Sequence, residues 1–208
     1  LGANVACAQC HDHPLADWTQ REFYELAAFF GATDVSDRDP RKVGNRIKDD
    51  QLSKQDVIKA VAPNMARVHT KGAQTLKFPH DYAYDDVKPG SPVDPLLFVW
   101  ESGDEKGPAY DVNLKNPKNL RASFAQWLTH EKNPRFAATI ANRLWQRAFG
   151  LGVKEPLDDL DDLSKSSNPA LLALLGQIMV KADFDLREFH RVLFNSKAYQ
   201  AKASVSPP

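Results

Sequence analysis

Cys7 and Cys10 are the only two cysteines in the sequence, and both stand in the run Cys7-Ala8-Gln9-Cys10-His11. Cys-x-x-Cys-His is the attachment pattern of c-type haem. Two thiols at this spacing can each form a thioether to one vinyl group of the same porphyrin. The adjoining His11 then falls beneath the iron, where imidazole is a suitable axial donor. The spacing predicts a covalent haem c on Cys7 and Cys10, with His11 as the proximal iron ligand.

Other uses of the thiols stay open. A thioredoxin-like redox pair belongs near a βαβ pattern, and the segment that follows reads as helical. A structural zinc site can draw on Cys7, Cys10, His11 or His13, but no second close ligand pair follows. A Cys7–Cys10 disulfide would close a very short loop and stabilise little.

A sixth iron ligand has to come from elsewhere in the chain. His13 is too close to His11 to reach the opposite haem face, and is expected to bond backbone or a propionate. His130 and His190 fall in helical sequence, where a satisfied histidine is the commoner outcome. Met179 lies in an apolar helical stripe and reads as core. The irregular middle of the chain is left, and there His80, after Phe78-Pro79, ranks first. Met65 is second and His69 third, with an open distal position as a further outcome. Trp18 and Phe30 are expected to wall the haem.

The elements that position these residues follow from capping and periodicity. Thr19 and Glu22 form a capping box ahead of a helix that carries Phe23, Leu26, Ala27, Phe29 and Phe30. Gly31 can stop it. Residues 33–55 read as a solvated loop of mixed charge. Val61-Ala62-Pro63, Ala66 to His69, and Leu96 to Trp100 are strand candidates, and Lys88-Pro89-Gly90-Ser91-Pro92 is a turn. Prolines at 79, 89, 92, 95 and 108 keep any sheet small.

The last ninety or so residues read as four helices joined by short links. The first carries Leu120, Phe124, Trp127 and Leu128 and ends near Asn133. Asn133-Pro134 and Asn168-Pro169 each supply a cap followed by proline at the first helical position. Gly150 can close the second helix, and Asp185 with Glu188 can open the fourth. Trp127 and Trp145 are expected as buried anchors, and Arg143 as one half of an ion pair. The acidic run Glu155, Asp158, Asp159, Asp161, Asp162 fits no calcium-loop spacing and reads as a solvated loop with capping aspartates. The fold class is mainly α: an N-terminal haem segment, an irregular middle with little β, and a C-terminal helical bundle. The expected domains are residues 1–112 and 113–208.

The 208 residues carry 27 Lys+Arg against 27 Asp+Glu, so the formal net charge is zero. That balance argues against a dedicated nucleic-acid binder. The longest apolar stretch, Leu171 to Val180, is too short to span a bilayer. No basic stretch followed by an apolar run opens the chain, and Leu1 reads as the start of a processed or excised piece.

Cys7 to Pro14, Asp17-Trp18-Thr19-Gln20 and Phe29-Phe30 together resemble the cytochrome-c-like domain of large secreted planctomycetal proteins. Asn133-Pro134-Arg135-Phe136-Ala137, Asn142-Arg143-Leu144-Trp145, Phe149-Gly150-Leu151-Gly152, Glu155-Pro156 and Asp158-Asp159 resemble the partner domain of unknown function that follows it. Pro79, Asp81-Tyr82, Tyr84-Asp85-Asp86 and Lys88-Pro89-Gly90 resemble the joining segment. Leu157 to Asp162 departs from the usual continuation, which has glycine, histidine and prolines. The resemblance implies an exported, haem-binding piece of a larger chain, periplasmic or extracellular. Thioether attachment outside the cytoplasm implies the same compartment.

Two functions of different class follow. One is an electron-transfer module that passes electrons to a redox partner protein. The other is a haem-dependent oxidoreductase or peroxidase, which needs an open distal position. A third reading is a structural docking module in which Cys7, Cys10 and a histidine bind zinc, or the cysteines form a disulfide. No nucleophile–base pair, phosphate-binding glycine loop or zinc-protease motif is present in the sequence, which favours electron transfer.

Overall fold

The computed structural model describes residues 2–37, 53–61, 66–98, 107–160 and 162–201. They are mainly helical, as expected. The helices are α1 (Gln20–Ala27), α2 (Lys54–Val61), α3 (Leu120–Leu128), α4 (Pro134–Phe149), α5 (Pro169–Lys181), α6 (Leu186–Phe194) and the single turn α7 (Lys197–Gln200). Strands β1 (Thr33–Asp37) and β2 (Ala66–Thr70) form an antiparallel ribbon. The chain packs into two compact units. One comprises Leu1–Gln20, Leu97–Val112 and Ser123–Pro208, the other Arg21–Leu96 and Asn113–Ala122.

In the first unit, α4, α5 and α6 share one core. Ala141, Leu144, Leu172, Met179 and Phe189 are buried together there. The caps fall where the sequence places them. Asn133 accepts from the backbone N–H groups of Arg135 and Phe136, and Pro134 opens α4. Gly150 closes it with φ +85°, the left-handed conformation that suits glycine at this position. Asn168 accepts from the Leu171 N–H at the start of α5. Asp185 accepts from Arg187 and Glu188 N–H, but Glu188 pairs with Arg191 at 2.6 Å rather than completing a reciprocal box.

The first expected helix of this half ends sooner than Asn133. α3 stops at Leu128, and a turn follows in which the Asn133 N–H donates to the His130 carbonyl. Trp127 is fully buried against the rings of Phe124 and Tyr110. Trp145 is only half-buried, stacked on Phe149 with centroids 3.9 Å apart. It lies at the edge of the apolar stripe of α4, where helical spacing alone does not separate core from rim.

The loop after α4 is held from inside. Asn142 is fully buried; its Oδ1 accepts from the N–H groups of Val153 and Lys154, and its Nδ2 donates to the Lys154 carbonyl. Further along the acidic run, Leu160 is buried and donates its N–H to the Gly2 carbonyl at 2.6 Å. Gly2 is itself confined, because a Cβ there would collide with Thr139 Oγ1. Asp162 caps a 3-10 turn, Leu163–Lys165. This part of the acidic run is therefore structural; Asp161 lies outside the described residues.

In the second unit, Tyr24, Phe78 and Tyr82 meet ring to edge beside buried Ala28 and Val93. The expected turn at Lys88 to Pro92 is present. Ser91 Oγ donates to the Lys88 carbonyl, and Gly90 adopts φ +80°.

Two sequence readings are corrected in this unit. Residues 33–37 form β1 rather than loop, because β-branched Thr33 and Val35 find β-branched partners Thr70 and Val68 across the ribbon. Residues 54–61 form α2, so Lys54 and Gln55 open a helix and Val61 ends one instead of starting a strand. Ser53 supports its first turn, accepting the Asp56 N–H. Ala66 to His69 is a strand, as expected. In the first unit Leu97 and Phe98 are buried but join no strand, while Val99 and Trp100 lie outside the described residues.

Candidate functional site

Cys7 sits in a 3-10 turn, Ala6–Gln9, and Cys10 follows it. The Ala8 N–H donates to the Val5 carbonyl and the Cys10 N–H to the Cys7 carbonyl, at 3.1 and 3.3 Å. Ala8 is fully buried and roots the turn. The two flanking cysteines face outward, exposed and free. A thiol must be reachable to react, and both meet that condition.

His11 is exposed, with Nδ1 2.7 Å from the Asp12 carbonyl oxygen. A carbonyl only accepts, so Nδ1 donates here, and in the neutral ring this leaves Nε2 with its lone pair. This is the arrangement of metal-binding histidines, where a backbone carbonyl fixes the tautomer and the other nitrogen meets the metal.

Gln20 supports the turn from within the same unit. The Gln20 side chain is buried and donates from Nε2 to the Gln9 carbonyl, while its backbone N–H donates to Asp12 Oδ1 at 2.8 Å. The positions that flank Cys10-His11 are thereby pinned. Past Asp12 the chain makes a closed loop from His13 to Trp18. The His13 N–H donates to the Trp18 carbonyl at 2.7 Å, and His13 Nδ1 accepts from the Leu15 N–H. His13 thus bonds backbone, as expected. Leu15 projects from this loop, 92% exposed. The Trp18 ring rests on Phe98 with centroids 4.4 Å apart.

These features fit a c-type haem. They provide two free outward thiols and an imidazole with an available Nε2. Among the described residues, no three His, Cys, Asp or Glu side chains gather as a metal-ion site. A tetrahedral zinc ligand set is therefore not assembled by them, Cys7, Cys10 and His11 included.

Cys7, Cys10, His11 and Trp18 fall in the first unit; Phe30, His69 and His80 fall in the second. Phe30 ends a 3-10 turn after α1 and is partly exposed. His69 stands opposite Asp34 in the ribbon, with Nε2 3.9 Å from Asp34 Oδ2. His80 is exposed in the turn after Pro79, close to Gly90. Met65 lies outside the described residues. His130 Nδ1 accepts from the Lys132 N–H, and His190 Nδ1 lies 2.6 Å from the Leu186 carbonyl, so both are engaged locally. Arg143 is exposed on α4.

Sequence reasoning missed Gln20 and Asp12 as supports of the turn. A carboxylate that serves a helix start eight positions away leaves no short-range signature.

Residues 120–208 match the family described as PSD1, protein of unknown function (DUF1553), and residues 1–35 match PSCyt2, protein of unknown function (DUF1549). Both are planctomycetal-type domain names. No curated protein and no solved structure matches the chain. No described helix is long and apolar enough to cross a membrane.

Proposed function

We propose that this chain is a c-type haem-binding electron-transfer module of a larger exported planctomycetal protein. The observation that carries the reading is the outward pair of free thiols beside an imidazole whose Nδ1 proton is committed to the Asp12 carbonyl. Cys7 and Cys10 would hold the porphyrin through thioethers, and His11 Nε2 would meet the iron. Bound haem supplies one-electron redox chemistry. The chain's own contribution is orientation. Gln20 and Asp12 hold the turn, and the apolar side chains of Leu15 and Trp18 follow it in the chain.

His80 is the first choice for a second axial ligand, Met65 the next and His69 the third. A methionine would set a higher potential than a histidine. Electrons would pass to a redox partner protein in the periplasm or outside the cell.

The test is production in a host able to mature c-type cytochromes, followed by intact mass and a denaturing haem stain. A mass higher than the polypeptide by one haem supports the proposal; the bare polypeptide mass overturns it. The spectrum then separates the two redox classes. A low-spin, six-coordinate iron fits electron transfer, whereas a high-spin iron that reacts with peroxide fits a peroxidase. Loss of the low-spin spectrum in His80→Ala would assign the second ligand to His80.

A further inference from the structure

The first unit also holds a cavity of about 720 Å³, lined by α4, α5, the turn at Leu163 and the loop ahead of α4. It arises from small side chains. Along α5, Pro169, Ala173, Gly176 and Val180 recur on one stripe, and Ala137 and Ala138 of α4 meet them. Gly176 faces the Ala138 backbone, where a Cβ would lie at an ordinary contact distance of 3.6 Å from the Ala138 nitrogen. Flanking alanines do not refill the space. The stripe from Pro169 to Lys181 runs about 18 Å at 1.5 Å per residue. Size and apolar lining are those of a small-molecule site.

The ends of the groove differ. Phe136, near the start of α4, touches Phe184, just past the end of α5, at 5.3 Å. With the Ala138–Gly176 approach, this sets the two helices antiparallel. Lys132, just ahead of α4, and Lys181, the last residue of α5, therefore stand at the same end, and both line the cavity. Both are exposed, and neither forms an ion pair with a described residue. Glu131 also lines this end, so the mouth keeps one net positive charge. Gln177 adds an amide donor.

We propose that this groove binds a long-chain carboxylate, with its alkyl chain along α5 and its carboxylate between Lys132 and Lys181. An apolar trough with a net positive charge at one end favours an anionic head over a neutral or cationic one.

The test is titration of the whole chain with monomeric dodecanoate, octanoate and dodecyltrimethylammonium, followed by calorimetry. Dodecanoate should bind at one site per chain. Octanoate should bind more weakly, by up to about fourfold for each methylene removed. The cationic amphiphile should bind more weakly than dodecanoate at equal chain length. The double variant Lys132→Glu/Lys181→Glu should weaken dodecanoate about tenfold or more and reverse the head-group preference. Ala173→Phe places a ring in the trough from an exposed position and should abolish binding with the thermal midpoint unchanged. If that variant does not fold, the charge-reversal pair decides alone. Equal binding of both head groups to the unaltered chain would overturn the proposal, as would dodecanoate affinity that survives the charge reversal. So would binding to phosphatidylglycerol vesicles without binding of monomeric dodecanoate, which would assign the lysines to a membrane surface.

Discussion

The Gln20 carboxamide, only 1% exposed, donates from Nε2 to the carbonyl of Gln9 at 3.1 Å. A buried amide must find partners inside the protein, and this one finds the residue that separates Ala8 from Cys10. The backbone N–H of the same glutamine takes Asp12 Oδ1. The geometry of Cys10-His11 is thus set by a residue that belongs to the start of α1.

Gln20→Ala should therefore act on the turn more than on the helix. It leaves the Gln9 carbonyl without its amide donor and should cost about 1–3 kcal/mol in urea denaturation. Under the haem proposal it should also lower the fraction of chains that carry haem. Unchanged stability together with unchanged haem yield would remove Gln20 from this role.

The two tryptophans of the helical half should separate. Trp127 is fully buried, and Trp127→Ala should cost about 3–5 kcal/mol. Trp145 is half-buried on Phe149, and Trp145→Ala should cost about 1–2 kcal/mol, mainly lost stacking and partial burial. Denaturant midpoints of the two variants decide it; equal losses would place Trp145 in the core.

What the sequence made legible was local. Asn133-Pro134, Asn168-Pro169 and Gly150 announce helix ends through hydrogen bonds that span only a few residues, and the caps stand there. The β1–β2 ribbon was only half legible. Its pairing joins Asp34 to His69, distant in sequence, and Val35 and Val68 are exposed, so the usual buried-face alternation is missing. The thiols and His11 were legible as a motif. Their support was not, since Gln20 is a buried amide whose partner is a backbone group eleven positions away; Asn142, which holds the loop after α4, escaped for the same reason, its partners lying eleven and twelve positions away.

Acidification should loosen α6 at its start. The Asp185 carboxylate accepts the Glu188 and Arg187 N–H groups, and these bonds hold it below the usual carboxylate range. Glu188 is likewise lowered, chiefly by its hydrogen bond with Arg191. A pKa depressed by folding means that the stabilisation is complete above the ordinary carboxylate range and is lost as pH falls through the folded value. Amide exchange in the first turn of α6 should stay protected to pH values below that range and then rise. Asp185→Asn keeps a capping oxygen and should remove this group's part of the pH dependence. Protection that falls already at neutral pH would contradict the assignment.

The end of α5 holds a conformational cost that one substitution should release. The Phe184 N–H donates to the Met179 carbonyl and the Asp183 N–H to the Val180 carbonyl, the paired bonds of a Schellman ending. Asp183 sits at the left-handed position with φ +49°, and Phe184 follows with φ +55°. Glycine takes this conformation without a Cβ clash, whereas an L side chain is strained there. Phe184 must stay, because its ring rests on Phe136. Asp183 is exposed and free to change. Asp183→Gly should raise stability by about 0.5–1 kcal/mol, the relief of strain less the added entropy of the unfolded chain. Asp183→Val, β-branched at positive φ, should lower it by about 1–2 kcal/mol. Urea midpoints measured side by side give the sign of each. A glycine variant no more stable than the valine variant would show that the left-handed turn is not what limits the end of α5.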